Sequence, residues 1–119
     1  MPAVEVSIPA GAQPVMPQPG RTPAAVRAAV ARLDVAVLPW FEAEWTAATA
    51  QALDEYSITP LEQFIEKWWL WAAVRRWPGL AARLRECEVR SADAATLAEA
   101  RAASAEIGEI LRVAADAAA

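Results

Sequence analysis

The sequence predicts an all-α fold, a small helical bundle of about five helices. Three observations predict it. Apolar side chains recur at three- and four-residue steps from residue 26 onward, alanine swells the hydrophobic content to 56%, and proline, glycine and capping residues fall between the periodic stretches. At 119 residues the chain has room for one domain. That domain is expected over 22–115, after a flexible N-terminal arm at 1–21 and before a frayed C-terminus at 116–119. Alanine favours helix but buries little area, so the bulky Trp, Leu, Ile, Val and Phe side chains have to supply most of the driving force.

The arm holds Pro2, Pro9, Pro14, Pro17 and Pro19 with Gly11 and Gly20, a composition that opposes helix and suits an extended, mobile chain. Within it Val4, Val6 and Ile8 alternate with Glu5 and Ser7. Two readings stand: a disordered tail, or a strand added to the edge of a partner's sheet. Helix begins at "RTPAAVRAAVARL", where Thr22 can cap, Pro23 takes the first helical position, and Val26, Val30 and Leu33 share a face. Pro39 permits a second start behind the poor cap Leu38, and Phe41, Trp45, Ala48, Ala52 and Tyr56 make one stripe, placing a second helix at about 39–56. In "SITPLEQ" the Thr59 and Glu62 spacing reads as a capping box, so a third helix runs over about 60–77 and forms an antiparallel hairpin with the second. "WPG" ends it. "LAARLRECEV" gives a short fourth helix, and Ser91 or Asp93 can cap a fifth reaching about residue 115. Leu97, Ala100, Ser104, Ile107, Leu111 and Ala114 form a heptad-like seam on that fifth helix.

The third helix carries an unusual load in "EKWWLWAAVRRW" (66–77). Stepping 100° per residue from Leu61, Phe64, Ile65, Trp68 and Ala72 stay within about 60° and form an ordinary core stripe. Trp69 and Trp71 flank it at roughly 80° on either side, while Leu70, Val74 and Trp77 point the opposite way. The C-terminal half is therefore apolar all round, and something must cover it: later helices of the same chain, or a partner.

The chemistry-bearing vocabulary is thin. There is no histidine, which removes the usual general base and the commonest metal ligand, and one cysteine cannot make an intrachain disulfide. Cys87 sits between Glu86 and Glu88, a setting that raises a thiol pKa and fits a structural role. Glu62 with Glu66 and Glu42 with Glu44 lack the Glu-x-x-His elements of a bundle metal site and read as solvated faces. No enzyme, cofactor, metal or small-molecule substrate is expected. Eleven basic against fifteen acidic residues give a net charge of −4, which opposes general polyanion binding. Arg75, Arg76, Arg83, Arg85 and Arg90 nonetheless make residues 67–90 locally basic; a solvated, salt-bridged helix surface is the first reading, and Arg75, Arg76, Arg83 and Arg85 are the candidate nucleic-acid contacts of the second. The start of the sequence has no basic, apolar secretion signal, and the longest apolar runs, 35–41 and 68–74, fall far short of the about 20 residues a spanning helix needs. A cytoplasmic protein without membrane segments is expected.

Two stretches carry a resemblance: "RTPAAVRAAV" (21–30), and "ALDEYSITPLEQFIEKWW" (52–69) with "FEAEW" (41–45) before it. Together they resemble an uncharacterised family of small helical proteins from high-GC bacteria, over about residues 21–74. Trp45 stands where Tyr would be usual. Members look like companions of RelE/ParE-type toxin genes, so the resemblance implies an antitoxin-like role with a small toxin as partner. The expected function is a non-enzymatic protein-interaction module whose partner-binding face is Trp69, Leu70, Val74 and Trp77. The alternative is a self-associating helical scaffold or transcriptional regulator that uses the fifth helix as its seam.

Overall fold

The computed structural model describes residues 5–119, and among them the chain is all-α. Five helices follow in order: α1 (Pro23–Leu33), α2 (Leu38–Glu55), α3 (Thr59–Arg75), α4 (Pro78–Ala92) and α5 (Leu97–Ala118), with a 3-10 turn at Val35–Val37 and no strand. The contacts divide the chain into two compact units: Gln18–Ala72, and the segment up to Pro17 together with Ala73–Ala119.

In the unit Gln18–Ala72, α1 starts as its sequence dictates: Thr22 accepts a hydrogen bond from the Ala25 amide at 3.2 Å with Pro23 behind it, and Val26, Ala29 and Val30 are buried. Helix α2 begins at Leu38 without a side-chain cap. It ends in a Schellman motif, the Ser57 amide donating to the Ala52 carbonyl at 3.1 Å and the Tyr56 amide to that of Leu53. Tyr56 occupies the left-handed position of that motif, with φ 50°, so it drops out of the expected apolar stripe and lies 98% exposed. The capping box expected at Thr59 and Glu62 is replaced: Thr59 is already helical, its amide donates to Ser57 Oγ, and the Leu61 and Glu62 amides donate to the Ile58 carbonyl.

The core of this unit is aromatic. Phe41 of α2 meets Phe64 and Trp68 of α3 at ring-centroid distances of 4.9 and 5.3 Å, and Trp45 meets Phe64 at 5.3 Å. Residues advancing along α2 meet residues receding along α3, the antiparallel hairpin that a three-residue connection enforces.

The other unit holds the last turn of α3, then α4 and α5. Trp77 has an extended backbone before Pro78, which opens α4. Helix α4 runs on to Ala92, past the expected end, and Ser91 lies within it. The cap of α5 is Thr96, which accepts from the Glu99 amide at 3.1 Å while the Glu99 carboxylate accepts from the Ala95 amide at 2.9 Å. Neither Ser91 nor Asp93 caps α5; the T-x-x-E spacing of residues 96–99 was the available signal. The buried face of α5 is Ala103, Glu106, Ile110 and Ala114; it shares Ala114 with the expected seam, lies one residue before it at the other three positions, and leaves Leu97 and Ser104 exposed.

Within 5–21 there is neither helix nor strand. The alternation that suggested a strand begins at Val4, outside the described residues, and Val6 is buried. A turn follows: Ala12 donates to the Pro9 carbonyl at 3.0 Å with Gly11 at φ 85°, a conformation that glycine adopts without steric cost. The Val15 amide then donates to the Arg76 carbonyl at 2.8 Å. Proline-rich sequence explains the missing helix, whereas these anchor points leave no periodic trace.

Replacing Tyr56 by glycine relieves the left-handed strain and is expected to raise unfolding stability by about 1 kcal/mol, measured by urea denaturation. Thr96→Ala is expected to lower it by about 1 kcal/mol in the same assay.

Candidate functional site

Each indole of the tryptophan helix has a separate fate. Trp68 is buried, edge-on to Phe41 and tilted against Trp71 at 5.6 Å, with Lys67 over its ring. Trp69 is 5% exposed and is closed by a strap of residues 18–21. Its indole N–H donates to the Pro19 carbonyl at 3.0 Å, its own carbonyl accepts from Gln18 Nε2 at 3.0 Å, and the Arg21 guanidinium lies 3.8 Å from the ring centroid. Arg21 also pairs with Glu66 at 3.0 Å. The proline-rich arm, rather than a later helix, thus supplies the cover on this side.

The face expected from Trp69, Leu70, Val74 and Trp77 does not stand open. Trp69 and Leu70 belong to one unit, the first buried and the second half-buried. Val74 and Trp77 belong to the other, again one buried and one half-buried. Trp69 and Val74, being buried, present no surface to a partner, and Leu70 and Trp77 present only part of theirs.

The arginines likewise part company. Arg76 is buried, donating to the Ala117 carbonyl at 3.2 Å with its guanidinium 5.0 Å from the Trp77 ring centroid, and burial lowers its pKa. Arg83 is half-buried and pairs with Glu106 at 3.0 Å. Arg75 is half-buried and Arg85 exposed. Arg76 and Arg83 are therefore engaged within the protein, and the locally basic stretch does not present all four side chains to solvent.

Sequence reasoning missed Glu106. It lies buried on the inner face of α5, where three donors from α4 converge on Oε2: Cys87 Sγ at 2.9 Å, Arg83 Nε at 3.0 Å and Arg90 Nη2 at 3.0 Å. The Cys87 hydrogen bond, with those of Arg83 and Arg90, outweighs burial and holds the carboxyl down at about 2. Burial, then the hydrogen bond and negative charge of Glu106, push the Cys87 thiol up. The thiol serves as a protonated donor in a structural cluster, consistent with its expected role. The available signal was Arg83, Cys87 and Arg90 spaced four and three apart on one helix face.

A group of exposed large side chains lies at the α2–α3 turn. Leu53 is 72% exposed, Tyr56 98% and Ile58 68%, three large apolar or aromatic side chains within six positions. Beside them a groove of about 390 Å³ is lined by Trp45, Ile58, Leu61 and Ile65, with Glu62, Glu66, Arg21 and Pro23 along it. Trp40, at the opposite end of α2, is also 68% exposed. Among the described residues no group of three His, Cys, Asp or Glu side chains could hold a metal ion, and no helix is long and apolar enough to cross a membrane.

A family model described as "Family of unknown function (DUF6247)" matches residues 14–115. No curated protein matches, and no solved structure matches.

Glu106 is ionised above its unfolded value of 4.5 and gains its stabilising contacts only in the folded chain, so its contribution is present above about pH 4.5 and is lost as pH falls toward 2. Glu106→Gln is expected to cost about 1.5–3 kcal/mol at pH 7 and to flatten the acid limb of a stability-versus-pH curve. Removing residues 1–20 uncovers Trp69, which is expected to shift tryptophan emission to the red and lower the melting temperature.

Proposed function

This chain belongs to the DUF6247 family, and because that family is of unknown function we propose from the geometry that it is a non-enzymatic protein-interaction module. The observation that carries the reading is the exposed cluster Leu53, Tyr56 and Ile58. A tyrosine in the left-handed position of a helix terminus costs about 1 kcal/mol or more relative to glycine, and here the side chain makes no compensating burial. Strain retained at an exposed aromatic is the pattern of a binding residue, and tyrosine is among the residue types that dominate interface energetics. The adjoining groove extends the surface along α3.

The finer reading is an antitoxin-like role, supported by the resemblance of residues 21–74 to companions of RelE/ParE-type toxins. In that reading the partner is a small toxin encoded beside this chain. It engages the α2–α3 turn rather than Trp69 and Val74, which are already covered.

Co-expression with the products of the flanking genes tests both levels. A complex and restored growth are expected with the native sequence, and Leu53→Glu with Ile58→Glu is expected to abolish both while leaving the circular dichroism spectrum unchanged. Trp40→Ala, an equally exposed aromatic elsewhere, is expected to have no effect. Retention of the complex by the double variant sinks the assignment of this surface.

A further inference from the structure

We infer that the groove beside the α2–α3 turn takes a basic amphipathic helix of a partner protein, an inference that rests on the interaction-module reading and names the chemistry of its partner. The shape of the groove comes first. Ile58, just before α3, and Leu61 and Ile65 on α3 follow one another at three- and four-residue steps, with Trp45 of α2 opposite them. From Ile58 to Ile65 the floor is about 10 Å long, two helical turns. Apart from Arg21 and Ile58 the lining residues are helical, and no strand borders the groove, so no sheet edge is offered to an extended peptide. An occupant must therefore bind through side chains, and two turns accept apolar anchors at i, i+3 or i+4, and i+7 from a helix laid in the groove.

Charge then selects the flanks of that helix. Most acidic residues of α2 and α3 that find a cation do so away from the turn: Glu42 with Arg27, and Glu44 with Lys67. Glu66 is shared with Arg21 at the far end of the groove. Asp54, Glu55 and Glu62, around the exposed cluster and the near end of the groove, pair with no basic side chain among the described residues; Glu55 accepts only from the Gln51 amide group. The surface is thus an apolar floor whose near end is negative and uncompensated, while at its far end Arg21, which also lines the groove, is held by Glu66. A partner carrying Lys or Arg beside its apolar anchors gains attraction during approach and in the complex. A second copy of this chain, at net charge −4, meets the negative end with like charge and is disfavoured.

The test uses a phage-displayed library of random 16-residue peptides, selected on the full chain and counter-selected on the Ile58→Glu variant. Enrichment of sequences with apolar residues at helical spacing and Lys or Arg on the flanks is expected. A synthetic copy of the dominant peptide should gain helical circular dichroism on binding and should shift the amide resonances of Leu61 and Ile65. Asp54→Lys combined with Glu62→Lys is expected to weaken it roughly tenfold, with most of the loss removed at high salt. Leu61→Ala keeps the charge and is expected to weaken it at either salt concentration. Enrichment of acidic or unpatterned peptides, no enrichment at all, or binding indifferent to the charge reversal overturns the inference. So does sedimentation showing that the chain self-associates through Ile58. If those results occur while Leu53→Glu with Ile58→Glu still breaks a complex with a flanking gene product, the interaction module stands and only the partner's chemistry falls.

Discussion

The second half of α3 cannot be given a solvent side. With Trp68, Trp69, Leu70, Trp71, Ala72, Ala73 and Val74 in succession, every direction around the axis is apolar. An ordinary amphipathic helix needs one covering layer, and this one needs several. Toward α2 the cover is the ring cluster of Phe41, Phe64 and Trp68, whose tilted and edge-on contacts add orientation to simple burial. On the flank of Trp69 it is the strap of residues 18–21, which provides a carbonyl for the indole N–H and a guanidinium for the ring face. A segment without regular structure thereby becomes part of the core.

The α4–α5 pair solves a different problem. Its buried apolar side chains are few, Leu80 and Leu84 on α4 against Ala103, Ile110 and Ala114 on α5, so shape alone specifies the register poorly. The Glu106 carboxylate removes that ambiguity. Its three donors come from successive turns of α4, so a slip of α5 by one residue would strand a buried charge without partners. The cost of burying the carboxylate is offset locally, and what it contributes is a single alignment of the two helices.

Stability and exposure pull in opposite directions at the α2–α3 turn. The terminus of α2 would be better served by glycine than by Tyr56, and Leu53 and Ile58 would be better served by polar residues. The same chain covers Trp69 with three kinds of contact, so its sequence is capable of hiding a large aromatic where that is needed. Three large side chains stand open on this one turn, beside a groove whose near end is acidic.

By itself the sequence determined the helical class, the hairpin of α2 and α3, the break at Pro78 and the aromatic load of α3, because proline geometry, cap chemistry and 3.6-residue periodicity act within a few residues of one another. Where two local signals competed, as at Thr59 or at Ser91 and Asp93, the cap moved by one to five positions, since neighbouring hydroxyls and carbonyls satisfy the same amides. Exposure was decided only by tertiary structure. Whether Trp69 is a binding residue or a core residue depends on where a segment 50 positions away comes to rest, and whether Arg83 is a phosphate contact or an internal partner depends on a glutamate 23 positions away. Periodicity assigns a side chain to a face of its helix; what lies against that face is set by contacts distant in sequence, which no local pattern encodes.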